Sequence, residues 1–329
     1  MLFVDYQNEH DPALNLAMEE YLLRQAQTNE DLLLFYINAP SIIIGRHQNT
    51  LEEINSEYVK ENHIHVVRRL SGGGAVYHDL GNLNFSFITS YQQENFNNFK
   101  KFTEPVVRSL NRLGVKAELS GRNDILVDGR KVSGNAQYIY KDRMVSHGTL
   151  LFNSDLSHVS DALNVRADKI SSKGIKSIRS RVANISEFLR DPMDIETFRV
   201  RLMEDIFKGV PEVPQYCLTT ADKKAVQTLA DERYRSWEWN YGHSPDFNLK
   251  KTQRFPSGEV DAHLDVKNGV IHEVKFYGDF FAESETEDLE RLLVGVRFTR
   301  DDIAGALQGV DINRYFSGLD LQTFIHFLC

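Results

Sequence analysis

Cysteine is almost absent from this sequence of 329 residues, which contains only Cys217 and Cys329. Two cysteines so far apart, one of them the last residue, predict neither a disulfide framework nor a metal-binding cluster. Long hydrophobic runs are also missing, since runs such as Leu32–Ile37 are far too short to cross a bilayer. The N-terminus lacks the basic and apolar segments of a secretory signal peptide. Together these absences predict a protein of the reducing cytoplasm.

Positive charge is in deficit, because 38 lysines and arginines face 47 aspartates and glutamates, for a net charge of −9. This balance argues against general nucleic-acid binding, which depends on neutralising phosphates. The deficit is uneven: residues 166–181 hold six basic side chains and one acid, so this window carries +5 and the rest of the chain −14. Such a patch indicates a small anionic ligand. A basic surface loop and a phosphate-binding loop fit the segment equally well.

The length predicts one large domain followed by a smaller one. The boundary is expected after the aromatic pair Trp237 and Trp239, in a loop at residues 242–245. This gives domains of residues 1–243 and 246–329. The smaller domain combines strand and helix patterns, which predict a compact α+β module.

Local patterns place the main elements of both domains. Asp11, followed by a proline, is typical of a helix start, and the runs Leu32–Ile37 and Ser41–Ile44 predict strands. Apolar residues at helical spacing predict a second helix over residues 97–113. In the smaller domain, Asn268-Gly269 between β-rich runs predicts a hairpin.

Residues 124–153 are expected to form three strands, with an Asp128-Gly129 turn between the first two. If the second turn pairs Tyr140 with Met144, Gln137 lies opposite His147 and the strands divide into a polar and an apolar face. The polar face then carries Lys131, Ser133, Asn135, Gln137, His147 and Thr149. The apolar face carries Val132, Ala136, Tyr138, Tyr140, Met144, Leu150 and Phe152. Lys131 is therefore predicted to line the wall of a site.

Three consecutive glycines occupy residues 72–74. Two arginines, Arg68 and Arg69, lie shortly before them in the sequence. Neither a P-loop nor a dinucleotide-binding fingerprint has this spacing. Three glycines allow a ligand to approach the backbone closely, and arginine offers forked donors to phosphate or carboxylate. A glycine triplet alone would indicate a flexible surface turn, and Lys131 alone a solvated charge. With the arginines in front, we interpret the triplet as a ligand-binding loop.

Several ordered motifs resemble those of the lipoate–protein ligase family. The glycine loop and its continuation form the longest of them, and the basic segment resembles the adenylate-binding loop of the family. The matching motifs are residues 45–49, 68–82, 121–124, 131–134, 147–151, 173–182 and 236–240. The C-terminal module resembles the accessory domain of the two-domain ligases. The resemblance covers nearly the whole chain.

The resemblance implies an α/β (α+β) fold, with a mixed-sheet catalytic domain shared with biotin ligases and distantly with class II aminoacyl-tRNA synthetases. It implies an ATP-dependent ligase that converts lipoate to lipoyl-AMP, with Mg²⁺, and transfers the lipoyl group to a lysine of an acceptor. The acceptors implied are lipoyl-domain proteins, namely E2 subunits of 2-oxoacid dehydrogenases and the glycine cleavage H protein. It also implies a cytoplasmic monomer that binds neither nucleic acid nor membrane.

Carried over residue by residue, the resemblance makes Lys131 the essential catalytic lysine and Asp124 a contact for Mg²⁺. The residues it assigns to binding of ATP and lipoyl-AMP are Arg69, Ser71, Gly72, Gly73, Gly74, Ala75, Val76, Tyr77, His78, Asn82, Asn123, Asp124, His147, Lys173, Arg179 and Arg181. One departure is Tyr138, where some members have an arginine at the carboxyl end of lipoate. The basic segment is expected to close over the bound adenylate and exclude water.

The chemistry agrees with these assignments, since activating an acid with ATP brings a carboxylate and an α-phosphate together. A lysine with a pKa near ~10.4 stays cationic and can bridge both. The acceptor lysine then attacks the mixed anhydride, so the enzyme needs no nucleophile of its own.

Three rival functions stand beside the ligase. The nearest is an octanoyl or lipoyl transferase of the same fold that works without ATP, commonly through a cysteine thioester. Another is a biotin ligase, whose own glycine-arginine signature differs from the one found in this sequence. The third is a catalytically idle protein that binds lipoate or lipoyl-AMP, and the presence of Lys131 argues against it.

Because the ligase reaction forms no thioester, we expect the double variant Cys217→Ser/Cys329→Ser to transfer lipoate within about twofold of the native rate. Gel-based transfer assays and mass spectra of the enzyme measure this. An acyl group trapped on Cys217, or loss of transfer in the double variant, would instead favour the transferase.

Overall fold

A computed structural model describes residues 1–6, 9–163, 181–241, 249–267 and 269–328. The chain forms two compact units. The first comprises Met1–Ile43, Ile54–Val67 and Val76–Ser236, and the second comprises Ile44–Glu53, Arg68–Ala75 and Trp237–Cys329. Two short segments that precede Val76 in the sequence thus fold with the C-terminal part. The predicted boundary loop at residues 242–245 lies outside the described residues.

Groups of strands and groups of helices follow one another along the chain. The strands are β1 Leu2–Val4, β2 Leu32–Ile37, β3 Ser41–Ile44, β4 His65–Arg68, β5 Val76–His78, β6 Asn82–Ser90, β7 Ala117–Ser120, β8 Asp124–Val127, β9 Arg130–Tyr140, β10 Arg143–Leu151, β11 Leu249–Phe255, β12 Gly258–Lys267 and β13 Val270–Gly278. The α-helices are α1 Pro12–Gln25, α2 Thr50–Glu53, α3 Ser56–Glu61, α4 Phe99–Arg112, α5 Ser157–Ala162, α6 Ile195–Ile206, α7 Thr220–Leu229, α8 Trp237–Asn240, α9 Thr286–Leu293, α10 Arg300–Ala306 and α11 Leu321–Leu328. Short 3₁₀ turns occur at Gln93–Asn95, Ile185–Phe188 and Ile312–Arg314, and a π-helix at Ala230–Tyr234.

A seven-stranded sheet forms the centre of the first unit, in the order β1-β2-β6-β10-β9-β8-β7. Strands β1 and β2 run parallel, and the other neighbours run antiparallel. One face of the sheet packs on α4 and α6, in a core that contains Phe85, Phe102 and Phe198. A smaller sheet has the order β4-β3-β5. The mixed sheet predicted for the catalytic part is present.

Most local predictions for this unit are confirmed. Helix α1 begins after Asp11, whose Oδ1 accepts a hydrogen bond from the Ala13 amide at 2.8 Å. Strands β2 and β3 have the predicted bounds. Helix α4 ends two residues before Gly114, which has the positive φ of 87° typical of a glycine just after a helix.

The hairpin of β8 and β9 is also confirmed, with a two-residue turn in which Asp128 and Gly129 both have positive φ. The register predicted for the next hairpin is wrong. The structure pairs Tyr140 with Arg143 rather than with Met144, through a two-residue turn that needs a φ of 54° at Lys141. Nothing in the sequence signals that conformation at a lysine, so the predicted turn was one residue too long.

The corrected register changes which side chains share a face with Lys131. His147 pairs with Ala136, and Gln137 pairs with Ser146, so Gln137 and His147 lie on opposite faces. A β-bulge lies in β9, where consecutive residues of β8 pair with Lys131 and with Ser133. The bulge reverses, a second time, which face of the sheet each side chain of β9 points to. As a result Lys131 points to the same face as His147, although the predicted reason for it was wrong.

The second unit is built on an antiparallel sheet in the order β11-β12-β13. Helices α9, α10 and α11 pack on it around a core that includes Phe276, Phe316 and Phe324. The predicted hairpin is present, with a φ of 74° at Gly269, and Asn268 lies outside the described residues. In the part of the chain that the structure describes, no helix has both the length and the apolar character needed to cross a membrane.

Candidate active site

Lys131 lies beside the bulge of β9, with its side chain running over Gly134 to a single carboxylate. Its Nζ is 2.8 Å from Oδ1 of Asp124, and the two side chains are 38% and 36% exposed. A Cβ added at Gly134 would lie 2.9 Å from that Nζ, so only glycine leaves the path open. Exposed ion pairs contribute about 0–1 kcal/mol. An anionic ligand can therefore replace Asp124 at the ammonium at little cost.

The backbone of Lys131 is held far more firmly than its side chain. Its amide donates to the Arg181 carbonyl at 2.7 Å, and its carbonyl accepts from the Ala183 amide at 3.0 Å. Residues 181–183 thus run alongside β9 as a short parallel bridge at Lys131. Arg181 is the described end of the basic segment, while Lys173 and Arg179 lie outside the described residues. The described end of the basic segment therefore lies beside the candidate catalytic lysine.

Asn123 fixes the start of β8, and with it Asp124. The Asn123 side-chain amide donates to the Asn135 carbonyl at 2.6 Å. The amide of Asn135 and its side chain both donate back to the Asn123 carbonyl, at 3.0 and 2.9 Å. Asn123 stays a predicted binding residue, and its contacts with Asn135 also hold the neighbouring carboxylate in place.

His147 meets a carboxylate that lies outside the sequence motifs. Glu19 of α1 has its two oxygens 2.8 and 2.9 Å from Nδ1 of His147, and both residues are buried. A carboxylate only accepts, so Nδ1 carries the hydrogen and donates it to Glu19. The ring of His147 is thereby fixed in orientation and presents Nε2 on its other side.

His78 is held in a chain of buried amides. Nδ2 of Asn38 donates to Nδ1 of His78 at 2.9 Å, and Nδ2 of Asn15 donates to Oδ1 of Asn38 at 2.8 Å. Because Nδ1 of His78 accepts, its hydrogen lies on Nε2. The His78 ring is thus fixed in orientation and tautomer by residues of α1 and of the loop after β2.

Asn82 offers a buried acceptor that the described chain leaves open. Its Nδ2 donates to Oδ1 of Asn84 at 3.0 Å, and Nδ2 of Asn84 donates to the Tyr36 carbonyl at 3.2 Å. Oδ1 of Asn82 is buried and has no hydrogen-bond partner among the described residues. A buried acceptor without a donor costs about 1–3 kcal/mol. A ligand with an N–H or O–H group would satisfy it.

Tyr77 packs beside a histidine that also lies outside the sequence motifs. Its ring stacks on His158 of α5, with centroids 5.9 Å apart, and the Tyr58 hydroxyl contacts Nδ1 of His158 at 2.6 Å. Burial raises the pKa of Tyr77 to about 12, and Asp79 and Asp155 add to the effect. Tyr77 therefore keeps its hydroxyl proton at neutral pH.

In the second unit, Arg69 shapes the glycine loop from inside. Its Nε donates to Oγ of Ser71 at 3.0 Å, and Nη2 donates to the carbonyls of Gly72 and Gly74 at 2.8 and 2.9 Å. The N–H of a trans peptide points opposite to its C=O. The amides of Gly73 and Ala75 consequently face away from Arg69, the arrangement that binds anions in glycine-rich loops.

Gly45, Gly72 and Gly73 each have a steric or conformational reason to be glycine. A Cβ at Gly45 would lie 1.9 Å from the Gly73 carbonyl oxygen, and a Cβ at Gly72 would lie 2.3 Å from the Phe280 carbonyl oxygen. Gly73 has a φ of 95°, which other residues rarely adopt. The loop is therefore a packed turn and not the flexible surface turn that a glycine triplet alone would indicate.

Arg68, which the sequence suggests as an anion-binding residue beside Arg69, has a different position. Its buried guanidinium donates to five carbonyl oxygens and one hydroxyl, those of Gly45, Arg46, Gln48, Trp239, Asn240 and Thr50. Burial lowers the pKa of Arg68 to about 10, and the charges of Arg46 and Arg69 add to the effect. Arg68 is still cationic at neutral pH, but its donors are all used inside the protein.

Comparison with known families gives two matches. The lipoyl protein ligase A/B catalytic domain matches residues 11–207, and the bacterial lipoate protein ligase C-terminus matches residues 244–328. Lipoate-protein ligase LplJ of Bacillus subtilis is 57% identical over 327 residues, which cover 99% of each chain. Lipoate–protein ligase 1 of Staphylococcus aureus is 51% identical over 328 residues, which cover 100% of each chain.

Solved structures confirm the predicted α/β fold. LipL1 of P. falciparum, in complex with lipoate, has a TM-score of 0.80 at 24% identity, over 99% of this chain and 97% of that one. The bipartite lipoate protein ligase of Thermoplasma acidophilum, solved in a study with its E2 lipoyl domain, has a TM-score of 0.65 at 32% identity, over 75% and 98%. Lipoate-protein ligase A bound with ATP has a TM-score of 0.64 at 31% identity, over 73% and 98%.

The sequence did not lead us to Glu19. It also suggested that Arg68 binds an anion, whereas Arg68 binds carbonyl groups of its own unit. The signal for Glu19 was present, because Glu19 and Glu20 interrupt the apolar pattern of α1, and an acid buried in a helix usually has a partner. No signal distinguished Arg68 from Arg69, since consecutive arginines at a loop look alike until their acceptors are known.

We expect Arg68→Lys to weaken the second unit by about 2–5 kcal/mol, because an ammonium has too few donors and leaves buried carbonyls unsatisfied. Hydrogen exchange of peptides covering residues 44–53 and 237–241 measures the loss of protection. The control is Arg254→Lys, since that side chain is 62% exposed and its replacement should change stability by less than ~0.5 kcal/mol. Equal protection in the two variants would contradict the assigned role.

Proposed function

Because the chain belongs to the lipoate–protein ligase family, we propose that it activates lipoate with ATP and transfers the lipoyl group to a lysine of an acceptor protein. One observation carries the mechanism: the geometry of Lys131. Its backbone is fixed by a bulge and a strand bridge, and its ammonium rests on one exposed carboxylate. The chain thus holds a cation in place while leaving it free to change partners.

The first half-reaction needs that cation. The lipoate carboxylate attacks the α-phosphate of ATP, and the two anions repel each other as they approach. We assign Lys131 to both of them, so that its ammonium leaves Asp124 and bridges the carboxylate and the phosphate. Asp124 then keeps the lysine in position before the substrates arrive. The same ammonium stabilises the negative charge that develops at the phosphate.

The glycine loop supplies the second anion-binding element. Arg69 binds the carbonyls of Gly72 and Gly74, which turns the following amides away from Arg69. We assign these amides, with Ser71, Val76 and Tyr77, to the nucleotide and the acyl chain, as the family resemblance implies. Oδ1 of Asn82 and the fixed imidazoles of His78 and His147 are assigned to polar groups of the substrates.

Magnesium fits this chain only as a partner of the nucleotide. Among the residues that the structure describes, no group of three or more His, Cys, Asp or Glu side chains could hold a metal ion. Asp124, which the resemblance makes a contact for Mg²⁺, offers one carboxylate, and magnesium is commonly held by one or two carboxylates together with phosphates and water. When bound, the ion supplies neutralisation of the departing pyrophosphate.

In the second half-reaction the acceptor's lysine attacks the carbonyl carbon of lipoyl-AMP, and AMP leaves. No protein nucleophile is required, and Cys217 lies exposed outside every matching motif. This argues against the thioester route of a transferase. Water must be excluded from the site until the acceptor's lysine reacts with the mixed anhydride. We assign that task to the basic segment of residues 166–181, of which only Arg181 lies among the described residues.

We further propose that residues 1–243 catalyse adenylation and transfer and that residues 246–329 form an accessory domain. The acceptors are lipoyl-domain proteins, E2 subunits and the glycine cleavage H protein, and the enzyme works in the cytoplasm as a monomer. The study of the T. acidophilum ligase with its E2 lipoyl domain supports the acceptor class, and the ATP complex of lipoate-protein ligase A supports ATP as the nucleotide.

Pyrophosphate release distinguishes the proposed ligase from its rivals. A ligase releases pyrophosphate when lipoate and ATP are both present, and produces lipoylated acceptor when acceptor is added. A transferase would move an octanoyl group between carrier proteins without ATP, and an idle binder would release no pyrophosphate at all. Either of these outcomes would overturn the proposal.

Lys131→Ala should lower lipoyl-AMP formation by about 10²–10³-fold or more, because the repulsion between the two anions is no longer neutralised. Lys131→Arg should also fail, since a planar guanidinium cannot reproduce the point contact of an ammonium. Pyrophosphate release measures the loss, and circular dichroism checks the fold. A Lys131→Ala enzyme with near-native turnover would exclude the mechanism.

Gly134→Ala should impair the reaction while leaving the fold intact. The added methyl group comes too close only to the flexible end of Lys131, so the side chain moves off Asp124 instead of the backbone shifting. We expect adenylation to fall by about tenfold or more, since small displacements of catalytic groups are costly. Gly305→Ala is the matched control, because its Cβ meets nothing within 4 Å. Equal activity of the two variants would contradict the geometry assigned to Lys131.

A further inference from the structure

Glu20 is a buried carboxylate that the adenylation mechanism does not use. It is 1% exposed and follows Glu19 on α1. One ion-pair partner and two hydrogen-bond donors surround it. Nε of Arg24 lies 2.6 Å from Oε1, Nη1 of Arg233 also donates to Oε1, and the Tyr234 hydroxyl donates to Oε2 at 2.7 Å. We call these four residues the Glu20 cluster.

A π-helix brings two members of the Glu20 cluster to the carboxylate. Residues Ala230–Tyr234 form it, and the amide of Arg235 donates to the Ala230 carbonyl at 2.9 Å, one residue farther than in an α-helix. Arg233 and Tyr234 are adjacent in sequence and still reach the two oxygens of the same carboxylate. A π-helix is rare, and where it occurs it is frequently associated with a functional site.

Stability alone is a poor explanation for the Glu20 cluster. Removing a carboxylate from water is expensive, and a buried ion pair is often no more stable than a well-packed apolar group in its place. Burial also keeps the Tyr234 hydroxyl protonated, since it raises the pKa of Tyr234 well above its usual value. What such a cluster provides is a fixed geometry, because each of its bonds depends on distance and direction.

The geometry that the cluster fixes is the position of α1. Glu19 lies one residue earlier on the same helix and holds Nδ1 of His147 with both of its oxygens. A slip of α1 by one residue, about 1.5 Å, would break those contacts. Tyr21 adds a third tie, because its hydroxyl donates to Asp222 at 2.5 Å. Three successive residues of α1 are thus bound to three different parts of the first unit.

We propose that Arg233 and Tyr234 are positioning residues for the binding of lipoate. Through Glu20 they hold α1 in the place where Glu19 keeps His147 in one orientation and one tautomer. His147 then presents Nε2 to the acyl substrate without further ordering. The proposal rests on the proposed function, because it assigns His147 to substrate binding.

Tyr234→Phe is the main test, since it removes one hydrogen bond and conserves the volume of the side chain. We expect the KM for lipoate to rise by about tenfold, with the KM for ATP and the kcat of adenylation within about twofold, because ground-state positioning of one substrate is lost. Arg233→Met should act in the same direction, and Arg233→Lys should recover most of the native KM, since an ammonium can still reach Glu20.

The nitrogen chemical shifts of His147 provide a readout that does not depend on activity. In the native enzyme Nδ1 should appear as the protonated nitrogen, and in Tyr234→Phe the two nitrogens should approach the averaged shifts of exchanging tautomers. His147 can be assigned by comparing the histidine spectra of the native enzyme and a His147→Asn variant. The unfolding midpoint is recorded alongside for each variant.

Ser109→Ala is the matched control, because it also removes a buried hydroxyl that donates to a carboxylate. Its Oγ lies 3.0 Å from Oδ2 of Asp205, between α4 and α6. We expect a lower unfolding midpoint with unchanged KM values and His147 shifts. If Tyr234→Phe behaves in the same way, Tyr234 is merely structural and the inference fails. If the native enzyme shows no activation of lipoate by ATP, the proposed function fails, whatever the His147 shifts report.

Discussion

The weak ion pair between Lys131 and Asp124 is the interaction on which the candidate site depends. A stronger pair would keep the ammonium from the substrates, and an unpaired lysine would move through many conformations. The structure meets both requirements because it fixes the backbone of Lys131 and leaves only the end of the side chain able to change partners. The bulge of β9 sets the face, the bonds to Arg181 and Ala183 set the backbone, and Gly134 leaves a channel for the methylene groups. Rigid positioning of a reactive group on a strand is how sites gain precision.

Much of the fold follows from local sequence, because its signals act over short distances. The Asp128-Gly129 turn and the Asp11 helix start are set by backbone preferences of a few residues. The register of β9 and β10 is different. It depends on a positive φ at Lys141 and on a bulge near Lys131, and no local residue type indicates either of them. The predicted turn was one residue too long, and the predicted alternation of side chains omitted the bulge. These two errors cancel for Lys131, which lies on the predicted face, but not for Gln137.

The site itself was predicted as a set of motifs, and that prediction rests on their resemblance to a family more than on their chemistry. Polar residue types alone could not separate a ligand contact from an internal brace. Asn123 donates its side-chain amide to the Asn135 carbonyl, and Arg68 donates its guanidinium to carbonyls of its own unit. Glu19, in contrast, lies outside the motifs and yet holds His147. Such assignments require the partner atoms, because buried polar groups are defined by what satisfies them.

Arg68 also shows how a residue without an open donor can still favour an anion. Its acceptors are carbonyls and a hydroxyl, so its contacts leave its positive charge uncompensated. Arg69, the next residue, folds the glycine loop around a second guanidinium. At 8 Å a unit charge still contributes about 2 kcal/mol if the effective dielectric constant is ~20. A negatively charged ligand on the amides of Gly73 and Ala75, which face away from Arg69, would therefore be attracted by two cations that it need not touch. The loop can then bind an anion through its backbone, while Arg69 fixes its shape and both arginines supply the electrostatic field.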